Sequence, residues 1–204
     1  MKSIRFTVGI WMVANLLLGI SFQLINHFWI LFPLSLLILT LISISSGLIE
    51  THKRGPFTSQ DIIYGFMTGS ILYGLFLLTY LLLKVLPLPL LPYVVELYKI
   101  VGPSSWWHYV ALIIIIIPGE EIFWRGFIQK RMIKVLGRVQ GVLAAAFLYA
   151  LAHIWTGNPM LVAAALTAGI IWGGLYEWKK SLALIILSHL VFDLWLLVIF
   201  PLNF

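Results

Sequence analysis

Long apolar runs alternate with short polar gaps along the whole chain. Each run is long enough, at about 17–25 residues, to cross a bilayer core of ~30 Å. The runs fall near residues 6–24, 28–49, 62–86, 108–128, 139–156, 159–177 and 181–200. This pattern predicts an all-α, polytopic transmembrane helix bundle of about seven spans, in which residues 1–204 form a single transmembrane domain.

The gap between the third and fourth runs has a pattern of its own. Prolines at positions 87, 89 and 92 end the third span, because proline interrupts helical hydrogen bonding. The stretch Tyr93–Val101 that follows is predicted to be either a short helix at the membrane interface or an extra half-buried helix. Trp106 and Trp107 then belong to the aromatic belt that is common at this depth.

The positive charges lie almost entirely in alternate gaps. If all seven runs cross, one side carries the cations at positions 2, 5, 53, 54, 130, 131, 134, 138, 179 and 180, and the other carries only Lys84 and Lys99. The positive-inside rule therefore predicts a multi-pass cell-membrane protein with a cytoplasmic N-terminus and an external C-terminus. The net charge of +6 follows this topology, so a nucleic-acid partner is not expected.

Composition narrows the possible chemistry. Hydrophobic residues make up 62% of the chain and charged residues 10%, which excludes a soluble domain and makes the lipid bilayer its surroundings. The chain has no cysteine. Disulfides, thiol nucleophiles and thiolate metal sites are therefore excluded.

Three ionisable residues interrupt the fourth run, and each costs roughly 2.5–3.5 kcal/mol at the centre of a membrane helix. Glu121 and Arg125 are four residues apart and share a helix face, which predicts an ion pair. Glu120 points elsewhere and is free for chemistry. Pro118 is expected to interrupt the span just before this cluster, either as a break that starts a second half-helix or as a simple kink.

Later runs carry two further polar pairs at helical spacing, Tyr149 with His153 and His189 with Asp193. A rise of 1.5 Å per residue puts Glu120 level with His189 within about one turn, so one cluster is feasible. A carboxylate and two histidines admit three chemistries: a glutamate base, a Zn²⁺ site of Glu120, His153 and His189, or a proton relay in a transporter.

The ordered set Glu120-Glu121-x-x-x-Arg125, Tyr149-x-x-x-His153 and His189-x-x-x-Asp193 resembles the CPBP family, also called Abi or CAAX-protease-like. This family includes the type II CAAX prenyl endopeptidase and bacteriocin-immunity relatives. The resemblance covers roughly residues 113–195, within a protease-like core of about 108–200. It implies an intramembrane glutamic endopeptidase, historically classed as a metalloprotease, that acts on a membrane-associated or prenylated protein or peptide.

The resemblance also implies a role for each position. Glu120 would activate water, which His153 helps to hold, while His189 and Asp193 would support the oxyanion. Glu121, Arg125 and Tyr149 would organise the site. No cofactor is expected, although Zn²⁺ is the alternative that the two histidines leave open.

Two departures from the family pattern bear on these roles. The family often has Phe at the position of Tyr149 and Asn at that of Asp193. Because an ionised Asp193 would repel an oxyanion, it must be protonated or must orient His189. A catalytically silent membrane scaffold or immunity protein of the same fold is the alternative function, and a proton-coupled transporter is the third.

Overall fold

A computed structural model of the chain describes residues 2–46, 58–86 and 88–203, with the side chains from position 4 onward. The helices within these ranges are α1 (Lys2–Gln23), α2 (Phe28–Ser45), α3 (Ser59–Val85), α4 (Leu91–Val101), α5 (Trp106–Leu136), α6 (Arg138–Ala152), α7 (Pro159–Lys179) and α8 (Leu182–Ile199). Single 3₁₀ turns follow α1, at Ile25–His27, and α6, at Ile154–Thr156. No β-strand occurs in the described residues.

Six helices in the described part of the chain are long and apolar enough to cross a membrane. The number is up to seven if α4 and α5, which meet at 96°, count as one broken span. The prediction of an all-α polytopic bundle of about seven spans is therefore confirmed. Pro87 and the cations Lys53 and Arg54, which entered that prediction, lie outside the described residues.

Side-chain caps explain where three of the spans begin. Thr58 and Asp61 form a capping box at the start of α3, and Asp61 Oδ2 accepts the Thr58 backbone N–H at 3.0 Å. Asn158 Oδ1 accepts from the backbone N–H groups of the first turn of α7, where Pro159 has no N–H that needs an acceptor. Ser181 caps α8 in the same way. Each cap satisfies donors that would otherwise lack a partner at a helix start.

The short helix α4 is present where a helix was predicted over Tyr93–Val101. Its Tyr98 hydroxyl donates to the Leu196 carbonyl at 2.9 Å and accepts the Leu202 N–H at 2.7 Å. Asn158 Nδ2 donates to the Tyr93 carbonyl at 2.8 Å. These bonds fasten α4 to the end of the bundle where α6 and α8 end and α7 begins.

Helix α5 runs without interruption past Pro118, which contradicts the expected break in the span at this residue. Upstream of the proline, Leu112–Ile116 is π-helical and the Ile117 N–H donates to the Leu112 carbonyl. The wider turn adjusts the backbone pairing beside a residue that has no N–H. Glu120 and Glu121 consequently lie within one continuous helix, and the sharp bend of the chain falls at residues 102–105 instead.

Small residues let the helices of the bundle approach closely. α3 packs along α8, α6 packs along α7, and α5 lies between α2, α6 and α8. A Cβ at Gly69 would come within 2.8 Å of Val191 Cβ, and one at Gly169 within 3.1 Å of Ala146 Cβ. Small residues of α7 therefore lie at its contact with α6.

Trp106 at the start of α5 and Arg138 just beyond its end give a direct test of the predicted topology. Trp106 is 78% exposed and the Arg138 side chain 83% exposed, so neither replacement disturbs the core. In this cysteine-free chain, Trp106→Cys and Arg138→Cys are expected to react with an impermeant maleimide from opposite sides, with Arg138→Cys labelled from the cytoplasm. Labelling of both from one side would contradict a membrane-crossing α5.

Candidate active site

Side chains from α5, α6 and α8 meet at one point inside the bundle. The structure brings together all seven residues selected from the sequence, and none is more than 9% exposed: Glu120, Glu121, Arg125, Tyr149, His153, His189 and Asp193. Buried ionisable groups need partners to offset their loss of hydration. The contacts that each group makes therefore indicate what it can do.

Glu121 is the anchor of the cluster. Its Oε1 accepts from Arg125 at 3.1 Å, which is the pair predicted from their spacing, and from His189 Nδ1 at 2.7 Å. The Arg125 guanidinium also lies 4.8 Å from the centre of the Tyr149 ring, a cation–π contact. Glu121 Oε1 thus accepts from two partners and fixes the imidazole of His189, while Glu121 Oε2 is buried without a hydrogen-bond partner among the described residues.

Glu120 has a different environment from its neighbour. The Tyr149 hydroxyl donates to its carboxylate at 3.3 and 3.4 Å. His153 Nε2 lies 3.8 Å from Glu120 Oε1, and His189 Nε2 lies 3.9 Å from Oε2. Both distances exceed a direct hydrogen bond but suit a bridging water. Glu120 is therefore a carboxylate flanked by two imidazoles without being tied to either.

His153 is held in one tautomer when it is neutral. Its Nδ1 lies 2.8 Å from the Tyr149 carbonyl oxygen, which only accepts, so Nδ1 carries the proton. The Tyr149 ring packs edge-on against the imidazole at 4.6 Å. Nε2 then presents a lone pair toward Glu120.

His189 is held at both its face and its edge. Trp172 of α7 stacks on the imidazole with ring centres 4.0 Å apart, and Nδ1 donates to Glu121. Asp193 Oδ2 lies 3.6 Å from Nε2, the nitrogen that also faces Glu120. Glu121 and Trp172 therefore hold the orientation of His189, while Asp193 lies beside the Nε2 edge of the ring.

A cavity of about 430 Å³ opens from this cluster. Its polar floor consists of Glu120, Tyr149, His153, His189 and Asp193, and its walls are mostly apolar side chains of α3, α4, α7 and α8. Its lining runs toward the end of the bundle at which α4 is fastened. The volume is typical of sites that bind a small ligand or a short peptide segment.

The two histidines resemble metal ligands in one respect, since each Nδ1 donates to a fixed acceptor and leaves Nε2 free. Their placement does not fit an ion, because the described residues contain no group of three His, Asp or Glu side chains that could hold a metal. His153 and His189 face different oxygens of Glu120.

Two features of the site were missed in the sequence. The contact of Glu121 with His189 joins residues 68 positions apart, and a depth estimate that is uncertain by one turn does not distinguish Glu120 from Glu121 as the partner. Trp172 carries no local signal, because an aromatic side chain in an apolar span is ordinarily a packing residue. Only the relative rotation of the helices reveals either contact.

Comparison with known proteins identifies the region that carries this cluster. Residues 102–195 match the family model described as type II CAAX prenyl endopeptidase Rce1-like. Neither the search of curated proteins nor the search of solved structures gave a match. The matched residues include every member of the cluster, from Glu120 to Asp193. This part of the chain is therefore similar to the CAAX-protease-like family.

Proposed function

We propose that the protein is an intramembrane endopeptidase that hydrolyses a peptide bond in a membrane-associated or prenylated protein or peptide, using water activated by Glu120. One observation carries the proposal. Of two adjacent buried carboxylates, Glu121 accepts from Arg125 and His189, while Glu120 faces the cavity between two imidazole edges. A carboxylate in that position has the capacity to accept a proton from water.

The distances around Glu120 support this proposal, because they suit a bridging water. One water molecule that donates to Glu120 Oε1 and to His153 Nε2 would bridge the 3.8 Å between them. Both of its protons are then directed at acceptors, so a lone pair of its oxygen is free to point into the cavity. His153 therefore acts as a hydrogen-bond acceptor that orients the water.

During the reaction Glu120 carries one proton from the attacking water to the leaving amine. Glu120 takes a proton from the water as its oxygen attacks the carbonyl carbon of the scissile bond. The tetrahedral intermediate then collapses with cleavage of the C–N bond. The protonated Glu120 returns its proton to the leaving amine, which regenerates the carboxylate.

His189 is the group placed to stabilise the oxyanion. Its Nδ1 proton is committed to Glu121, so donation from Nε2 requires the doubly protonated imidazolium. The Glu121 carboxylate lies 2.7 Å from Nδ1 and favours that charge. A donor held by stacking and by a hydrogen bond needs little rearrangement when the oxyanion forms.

Asp193 can also help to stabilise the oxyanion when its carboxyl group is protonated. Its Oδ2 lies beside His189 Nε2, so an ionised carboxylate there would repel the oxyanion whereas a carboxylic acid can donate to it. Asp193→Asn preserves this donor. The variant is accordingly the conservative replacement at this position.

Hydrolysis by the purified protein in reconstituted bilayers tests the proposed function. The probe is a degenerate library of quenched-fluorescent apolar peptides, offered to the wild-type chain and to Glu120→Gln. We expect cleavage by the wild type and its loss in the variant. A folded wild-type protein that cleaves no member would contradict the proposal and favour the non-catalytic scaffold or immunity protein.

A further inference from the structure

The wall of the cavity has a gap between α3 and α7. α3 packs along α8 and α7 packs along α6, but the described residues of α3 and α7 make few contacts with each other. α4 contacts both helices and spans the gap at one end only. At the other end of the gap, the ring centre of Tyr64 on α3 lies 5.6 Å from that of Trp178 on α7. The wall between the two helices is therefore least covered between these two ends.

Side chains on both edges of the gap belong to the cavity lining and to the outer surface at once. On α3, Leu75 lines the cavity and is 42% exposed, and Thr79 also lines it and is exposed. On α7, Ala163 lines the cavity and is exposed, and its neighbour Ala164 continues the lining. Residues that both line the cavity and reach the surface mark the rim of an opening. The side chains of Ala163 and Ala164 are small, so they do not fill this opening.

The surface around this rim is apolar. Ile71, Leu78 and Leu82 of α3 are at least 50% exposed, and Ile170 of α7 is 39% exposed. Such side chains on membrane-spanning helices face hydrocarbon. The opening thus connects the floor of the cavity, where Glu120 lies, with the bilayer.

We propose that the substrate is a membrane-embedded polypeptide whose scissile segment enters laterally from the bilayer, between α3 and α7 and beside α4. This inference rests on the endopeptidase function proposed above. An apolar segment moves from lipid into an apolar cavity without exposing its side chains to water. At the floor, the backbone of the segment meets the polar groups next to Glu120.

Bulky replacements at the rim test the lateral route. We expect Ala163→Trp and Thr79→Trp, on opposite edges of the gap, each to lower kcat/KM for a membrane-embedded substrate by about tenfold. The substrate is a single-span peptide in liposomes that carries the sequence best cleaved from the library. Both positions are exposed, so the added rings do not overpack the core.

Ala183→Trp is the matched control, since Ala183 is an exposed alanine of α8 outside the cavity lining. It is expected to cleave the embedded peptide at the wild-type rate. Wild-type values of kcat/KM in both rim variants, with Glu120→Gln inactive, would overturn the lateral route and leave the endopeptidase function intact. Absence of cleavage by the wild type would instead contradict that function.

Discussion

Glu120→Gln is expected to fold like the wild-type chain and to lose most of its turnover, by about 10²–10⁴-fold. The amide keeps the size of the side chain and still accepts from the Tyr149 hydroxyl, which lies 3.3 Å from Oε1. It does not accept a proton from water. The change therefore removes the proposed base with little effect on packing, and the initial rate of peptide hydrolysis in proteoliposomes measures the loss.

Glu96→Gln is the control for this substitution. Glu96 lies on α4 and is exposed, so the same chemical change occurs near the cavity but outside it. This variant is expected to hydrolyse the peptide at the wild-type rate. A Glu120→Gln protein that turns over within a few-fold of wild type would show that Glu120 is not the base.

Arg125→Ala is expected to reduce the amount of folded protein as well as activity. Arg125 is 2% exposed and its partner Glu121 is fully buried. Removing the guanidinium leaves an uncompensated carboxylate in the bundle, at a cost of about 3–5 kcal/mol. It also removes the cation over the Tyr149 ring. Thermal unfolding in detergent, together with yield after membrane extraction, measures the effect.

Arg138→Ala is the matched control, because it removes an arginine from an exposed ion pair and not from a buried one. Arg138 lies 3.5 Å from Glu177, but its side chain is 83% exposed, and an exposed pair is worth only about 0–1 kcal/mol. The melting temperature of this variant is expected to match that of wild type. If Arg125→Ala accumulates and melts in the same way, the structural role of the buried pair is wrong.

The contacts that sequence predicts best are those within one helix. Glu121 with Arg125, and Tyr149 with His153, are four residues apart, and regular helical rotation brings each pair onto one face. The apolar runs likewise give the spans, because a bilayer requires about 20 apolar residues per crossing. These predictions depend on local geometry and on the surrounding lipid.

Contacts between helices depend on rotations and offsets that no local pattern encodes. Glu121 with His189, and Trp172 stacked on His189, follow from how α5, α7 and α8 pack. The predicted break at Pro118 was wrong for a related reason. A π-helical turn in α5 adjusts the backbone pairing, so the helix continues without a break. Small adjustments of this kind decide which of two adjacent carboxylates faces the cavity.

Metal content and activity, measured on the same purified wild-type sample, test most directly whether Glu120 rather than a bound ion activates the water. We expect much less than one zinc per chain and a hydrolysis rate unchanged by a chelator, because the proposed base is a carboxylate. About one zinc per chain that is lost in His153→Ala and His189→Ala, with chelated wild-type enzyme inactive until zinc is restored, would contradict the account.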